Sequence, residues 1–236
     1  KKAGRATNEG TVMAIVNDAC TTGAVVELNC ETDFVGMNEK FKAYAEKIAR
    51  AALAAKPADL DGLKAAEFEG ETVEAIVTDC IHVMGENTQL ARVAVVDAQA
   101  VSAYIHGGGK IGVLVQAASP AGASEAVLTA AKDCALQIAA MKPSYLKRED
   151  VPATVLEEEK TVVLAQMAED PKMKTKPQQV LAKIAEGKVG KYYSENCLLE
   201  QTFVKDGSMN VKQYVDSVAK AAGTTIDITG YVCFER

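Results

Sequence analysis

The run TTGAVVELNC, residues 21–30, decides the fold, because the chain uses it twice. Displaced by 86 positions it falls on HGGGKIGVLVQA, residues 106–117, with Gly23 over Gly109, Val25 over Ile111 and Leu28 over Leu114. The same displacement sets Phe41 on Val127, Ala45 on Ala131 and Lys56-Pro57 on Lys142-Pro143. A helix must stop at each of those prolines, since proline disfavours helical backbone in the residue before it. At a displacement of 138, VEAIVTDCIHVMGENTQLARVAVV (73–96) falls on VKQYVDSVAKAAGTTIDITGYVCF (211–234), with Gly85 over Gly223. The two displacements differ by 52, so the second copy carries an insertion of that size. A repeat of this length means one structural unit built twice.

Each copy reads in the same order. Alternating apolar residues with a glycine at the turn predict a hairpin, over about 10–18 and 23–30, then about 100–106 and 110–117. A long helix follows, about 38–55 and 122–141; in the first, Phe41, Tyr44, Ala45, Ile48 and Ala52 make one apolar stripe. A second helix, about 71–84 and 209–222, ends at Gly85 and Gly223, the residue type that supplies a left-handed stop. A last strand, about 88–97 and 224–235, closes each copy. The expected fold class is α+β: two repeated subdomains, each a three-stranded antiparallel sheet covered by helices. The insertion, about 146–197, has two helix-forming segments separated by DPKMKTKP and predicts a helical hairpin (coiled coil) within the second copy. The expected organisation is a linker end over 1–9, a first core subdomain over 10–97 and a second over 98–236. The polar opening KKAGRATNEG suggests that a preceding part has been removed.

Composition narrows the function classes. The 236 residues are 48% apolar and 25% charged, enough for a substantial core, and no apolar run approaches the ~18–20 residues of a membrane helix. A net charge of −6 argues against a nucleic-acid footprint, which asks for a clustered basic excess. Cys20, Cys30, Cys80, Cys134, Cys197 and Cys233 form no C-x-x-C and read as reduced thiols of a cytosolic protein. Two histidines, His82 and His106, do not support a His/Cys zinc site.

Several motifs invite chemistry. GGGKIG (107–112) matches a dinucleotide-binding pattern, but that pattern must open a helix, and Val113-Leu114-Val115 continue as a strand; a hairpin turn is the better reading. HGGG at His106 would need a G-x-S-x-G elbow that the chain lacks. Glu27 and Glu31 are expected as solvated acids, and Cys30 as a strand cysteine without an activating neighbour. The lysines of the inserted hairpin (Lys172, Lys174, Lys176, Lys183, Lys188, Lys191) are expected to form a solvated face, with Glu157, Glu158 and Glu159 opposite.

Asp33-Phe34 remains, and two helix starts compete there. If Thr32 or Asp33 is the cap, Phe34 lies seven residues before Phe41 and extends the core stripe. If Asn38 is the cap, Phe34 and Val35 are displayed in a loop interrupted by Gly36. Periodicity leaves both open. The repeat partner, SPAGAS (119–124), has no aromatic, so the fold does not require one at this place.

ELNCETDFV, HGGGKIGVLV, AAMKP and LLEQTFVKD, in this order and spacing, closely resemble the bacterial elongation factor Ts family over nearly the whole chain. The resemblance implies a guanine-nucleotide exchange factor for elongation factor Tu, GDP-bound and nucleotide-free, acting in the cytoplasm without making or breaking a covalent bond. It implies no cofactor of its own and no nucleic acid or membrane as partner. In the family the TDFV segment intrudes beside the partner's Mg²⁺ and phosphates, which assigns partner binding to Thr32, Asp33, Phe34 and Val35. Members also begin with a three-helix module absent here, often continue beyond the last strand, and often carry a histidine where this chain has Gln137, the expected second-subdomain contact. A reading from another class is a scaffold or RNA-associated module using the lysine-bearing hairpin.

Overall fold

The computed structural model describes residues 2–236; the first residue of the 1–9 segment lies outside the described residues. The chain runs β1 (Glu9–Val16), β2 (Thr22–Cys30), α1 (Asp33–Gly36), α2 (Glu39–Ala55), α3 (Leu60–Ala65), β3 (Glu67–Phe68), β4 (Glu71–Thr72), α4 (Val73–Met84) and β5 (Gln89–Asp97). It continues with β6 (Ala100–His106), β7 (Ile111–Ala118), α5 (Glu125–Met141), α6 (Ala153–Glu169), α7 (Gln178–Asn196), α8 (Val211–Ala222) and β8 (Asp227–Glu235). The fold is α+β, with two three-stranded antiparallel sheets of the same topology, β1-β2-β5 and β6-β7-β8. Among the described residues, α3 and the two-residue strands β3 and β4 are additions that periodicity alone did not give. Their apolar content is too short to show a period.

The repeat persists in backbone detail. Lys56 and Lys142 follow α2 and α5 in left-handed backbone at φ 46° and 47°, each just before its proline. The displacement, however, differs between strand and helix. Thr22 pairs with Asp97 and Ile111 with Glu235, so Thr22 corresponds to Ile111, a displacement of 89. Glu39 and Glu125 open the equivalent helices, a displacement of 86. Val25 therefore corresponds to Leu114 rather than to Ile111. An odd shift exchanges the two faces of a strand, so this correction decides which side chains share a core. It also means that the path from strand to helix is three residues longer in the first copy.

Two compact units compose the chain: Lys1–Ala139 with Asp216–Arg236, and Ala140–Val215. In the first unit β2 is covered on both faces. Ala24, Val26, Leu28 and Cys30 meet Phe41, Ala45, Ile48 and Ala52 of α2 and Val73, Ile76 and Cys80 of α4. On the other face, Val12, Ala14 and Val25 meet Val101 and Leu114 of the second sheet. The sheets approach closely because Gly23 and Gly112, equivalent residues, lie where they touch. A Cβ at Gly23 would come 2.8 Å from Val101, and one at Gly112 would come 2.5 Å from Val12. Gly107, Gly108 and Gly109 all have positive φ in the β6–β7 turn, and the Gly109 carbonyl accepts from Val12 N at 2.8 Å. GGGKIG is thus a hairpin turn laid on β1.

In the second unit α6 and α7 form a hairpin closed by Val163, Met167 and Ala185. Lys172, Lys174 and Lys176 are exposed near its tip. No helix among the described residues is long and apolar enough to cross a membrane.

Candidate functional site

The chain leaves the sheet at Cys30 and turns twice within eight residues. Thr32 caps α1, its Oγ1 accepting from Val35 N at 3.4 Å and its carbonyl from Gly36 N at 3.1 Å. That single turn ends at Met37, whose N–H donates to the Asp33 carbonyl at 2.9 Å. Asn38 then caps α2, its side chain accepting from Lys40 N at 2.8 Å. Both caps that the sequence offers are used. Phe34 consequently projects from a one-turn helix instead of joining the α2 stripe, and it is 84% exposed, with Met37 at 71%. Asp33 is exposed beside it. Val35 points the other way and packs against the core that contains Phe41.

An exposed phenylalanine on a four-residue helix would not hold its place unaided, because a single turn gives too few bonds for the backbone it fixes. Two supports come from elsewhere in the fold. Gly36 is buried against β1, where an added Cβ would sit 2.8 Å from the carbonyl oxygen of Gly10. The second support is Glu86, which follows the left-handed Gly85 at the end of α4. Its Oε2 accepts from the N–H groups of Glu31 and Thr32, each at 3.1 Å, and its Oε1 accepts from Thr32 Oγ1 at 2.7 Å. Glu31 answers in the opposite direction: its Oε1 accepts from Asn87 N at 2.7 Å and meets the Arg5 guanidinium at 3.5 Å. Asn87 Nδ2 donates to the Arg5 carbonyl at 2.7 Å, and Lys2 Nζ to that of Gly85 at 2.8 Å.

The two glutamates expected as solvated acids are therefore engaged. Glu31 belongs to this network, and Glu27 is only 8% exposed and ion-paired with Arg92, which also stacks over the Phe234 ring at 4.3 Å. Glu27 is drawn inward because its strand faces the second sheet, and a buried carboxylate needs such a partner. Cys30 is buried, its Sγ donating to the Thr32 carbonyl at 3.2 Å. Burial, and then the Glu86 charge, push its thiol up to about 12, so it is protonated at neutral pH and is no nucleophile.

Thr32, Asp33, Phe34 and Val35 thus share one tip, with Thr32 and Val35 as anchors and Asp33 and Phe34 as the displayed pair. Gln137 is not brought to it. It lies on α5 and is fully buried. Sequence reasoning missed Glu86; the signal was GENT (85–88) against GTTI (223–226) at the equivalent place, a carboxylate in one copy and a hydroxyl in the other. Among the described residues, no group of three or more His, Cys, Asp or Glu side chains is placed to hold a metal ion.

The family model described as elongation factor TS matches residues 31–236. Proteins named elongation factor Ts match essentially the whole chain. One from Trichlorobacter lovleyi is 43% identical over 99% of this chain and 76% of its own length. One from Clostridium botulinum (strain Eklund 17B) is 40% identical over 100% and 77%, and one from Aquifex aeolicus 38% identical over 100% and 81%.

Proposed function

The chain belongs to the elongation factor Ts family, and from that premise we propose that it is a guanine-nucleotide exchange factor for elongation factor Tu, releasing GDP by displacing the Mg²⁺ that ties nucleotide to partner. It acts in the cytoplasm, on the GDP-bound and nucleotide-free partner, and makes or breaks no covalent bond. The observation that supports this best is Phe34, 84% exposed on a turn whose every flank is fixed.

Exchange is a coupling between two ligands of one partner: the factor weakens GDP by the ratio in which GDP weakens the factor. The factor must therefore bind a partner conformation that cannot hold Mg²⁺ and phosphate together. The Phe34 ring supplies apolar burial to that conformation and to no other. Because its backbone is already set, docking orders only the side chain, at about 0.5–1.5 kcal/mol, and not the segment that carries it. Asp33, exposed one residue earlier, is available to groups released from the metal site. Thr32 and Val35 hold the wedge. Gln137, the contact expected from the second copy, is fully buried and is given no direct part in the exchange step.

Release of a fluorescent GDP from elongation factor Tu, followed against factor concentration with and without Mg²⁺, tests this. Wild type should accelerate release, and the gain over spontaneous release should shrink once Mg²⁺ is chelated. Phe34→Ala, losing a hot spot of at least about 2 kcal/mol, should slow the second-order rate about 30-fold with the fold intact. No acceleration by wild type at micromolar concentration overturns the exchange reading. A Phe34→Ala rate within twofold of wild type overturns the wedge.

A further inference from the structure

We infer that Glu86 is the positioning residue of the exchange tip: it places Phe34 for the partner without touching the partner. The inference rests on the exchange reading and adds a residue to it.

Three donors converge on the Glu86 carboxylate, the N–H of Glu31, the N–H of Thr32 and the Thr32 hydroxyl. Hydrogen bonds to a charged acceptor are the stronger kind, and with both oxygens occupied this carboxylate is committed inward. The residues it fixes immediately precede α1, and Thr32 passes the restraint on, since the hydroxyl that donates to Glu86 also accepts from Val35 N. Phe34 lies between those two points. One side chain therefore fixes where the strand ends, where α1 begins and, through both, the direction of the ring.

The second copy shows what the fold alone requires here. Glu86 corresponds to Thr224, each following a left-handed glycine. The Thr224 hydroxyl meets the Ser119 hydroxyl at 3.3 Å, at the start of the equivalent connection, and the carbonyl of the adjacent Thr225 at 3.5 Å. Neutral groups hold the second connection, this hydroxyl pair and the Gln99 Oε1 that accepts from Ser119 N at 2.8 Å, whereas a carboxylate with three donors is present where Phe34 is displayed. The flanks of Glu86 are fixed as well, Gly85 by Lys2 and Asn87 by Glu31 and the Arg5 carbonyl. The clamp is thus itself anchored.

The test compares wild type, Glu86→Ala, Phe34→Ala and the double variant in the GDP-release assay, with hydrogen exchange at residues 31–38 and thermal melts. Glu86→Ala should slow exchange about tenfold, keep its Tm within a few degrees of wild type, and exchange the Glu31, Thr32 and Val35 amides faster. If Glu86 acts only through the ring, the double variant should be no slower than Phe34→Ala alone. Should Glu86→Ala fail to fold, Glu86→Gln, which keeps one acceptor oxygen, should show about a threefold loss with the same non-additivity. Protection at residues 31–38 unchanged in the variant overturns the inference. So does a Glu86→Ala rate within twofold of wild type beside a defective Phe34→Ala, or a double variant whose loss is the product of the two. The exchange reading survives each of those results and falls only if wild type itself does not accelerate release.

Discussion

The two strand-to-helix connections, residues 31–38 and 120–124, join equivalent elements by different means. In the second copy Ser119 accepts from Ala121 N, Gly122 turns the chain at φ 59°, and Ser124 caps α5. Nothing large projects from it. The first connection, three residues longer by strand register, spends those residues on the additional turn α1. It then adds a buried glycine contact and a carboxylate clamp. The shorter connection shows that the fold is satisfied without these features. Their presence in one copy separates what holds the subdomain together from what the subdomain holds out.

The same contrast appears inside the sheets. Glu27 and Arg92 occupy positions that in the second copy are Gln116 and Gly230, paired across β7 and β8. The architecture therefore tolerates a neutral pair, and the ion pair is a local choice. Arg92→Met would leave the Glu27 carboxylate buried without its counter-charge. We expect a loss of about 3 kcal/mol, the low end for a broken buried pair because Arg92 is partly solvated, and a fall in Tm of about 6–12 °C. Glu27→Gln added to it, which restores the neutral arrangement of the second copy, should recover most of the loss. If the double variant melts no higher than the single one, the two copies are not interchangeable at this place.

A smaller effect separates two glycines at equivalent positions, Gly36 and Gly122, displaced by 86. At Gly36 the constraint is steric, since a Cβ would lie 2.8 Å from backbone; at Gly122 there is open space and the constraint is the positive φ. Gly36→Ala should cost about 1–3 kcal/mol by overpacking and slow GDP release, whereas Gly122→Ala should cost about 1 kcal/mol and leave release unchanged. Asn should be tolerated at Gly122, because it visits left-handed backbone, and not at Gly36. Thermal melts of the four variants check this. Equal tolerance of Asn at both would mean that α1 does not press on β1.

Periodicity and the internal repeat were enough to place both hairpins, the paired helices, the closing strands and the inserted helices, because those elements present an apolar face to a shared core. They misplaced the strand correspondence by three residues. Nearly every residue of β2 and β7 is apolar or buried on one face or the other, and a strand buried on both sides carries no alternation to fix its register. The same double burial explains why Glu27 read as solvated: its partner Arg92 is 65 positions away. At the tip, the sequence offered two caps and the structure uses both, which local rules could not decide because the support for α1 comes from Gly10 and Glu86. Phe34 stood out from the repeat comparison, while its clamp did not, since a single glutamate after a helix stop has no pattern of its own.

Replacing residues 31–38 with PAGAS (120–124), their counterpart by strand register, removes the whole tip at once, and the chimaera is assayed for release of fluorescent GDP from elongation factor Tu. The chimaera should fold, with the circular dichroism of the parent, and GDP should leave at the spontaneous rate. A folded chimaera that accelerates release as the parent does would overturn the assignment of exchange to this tip.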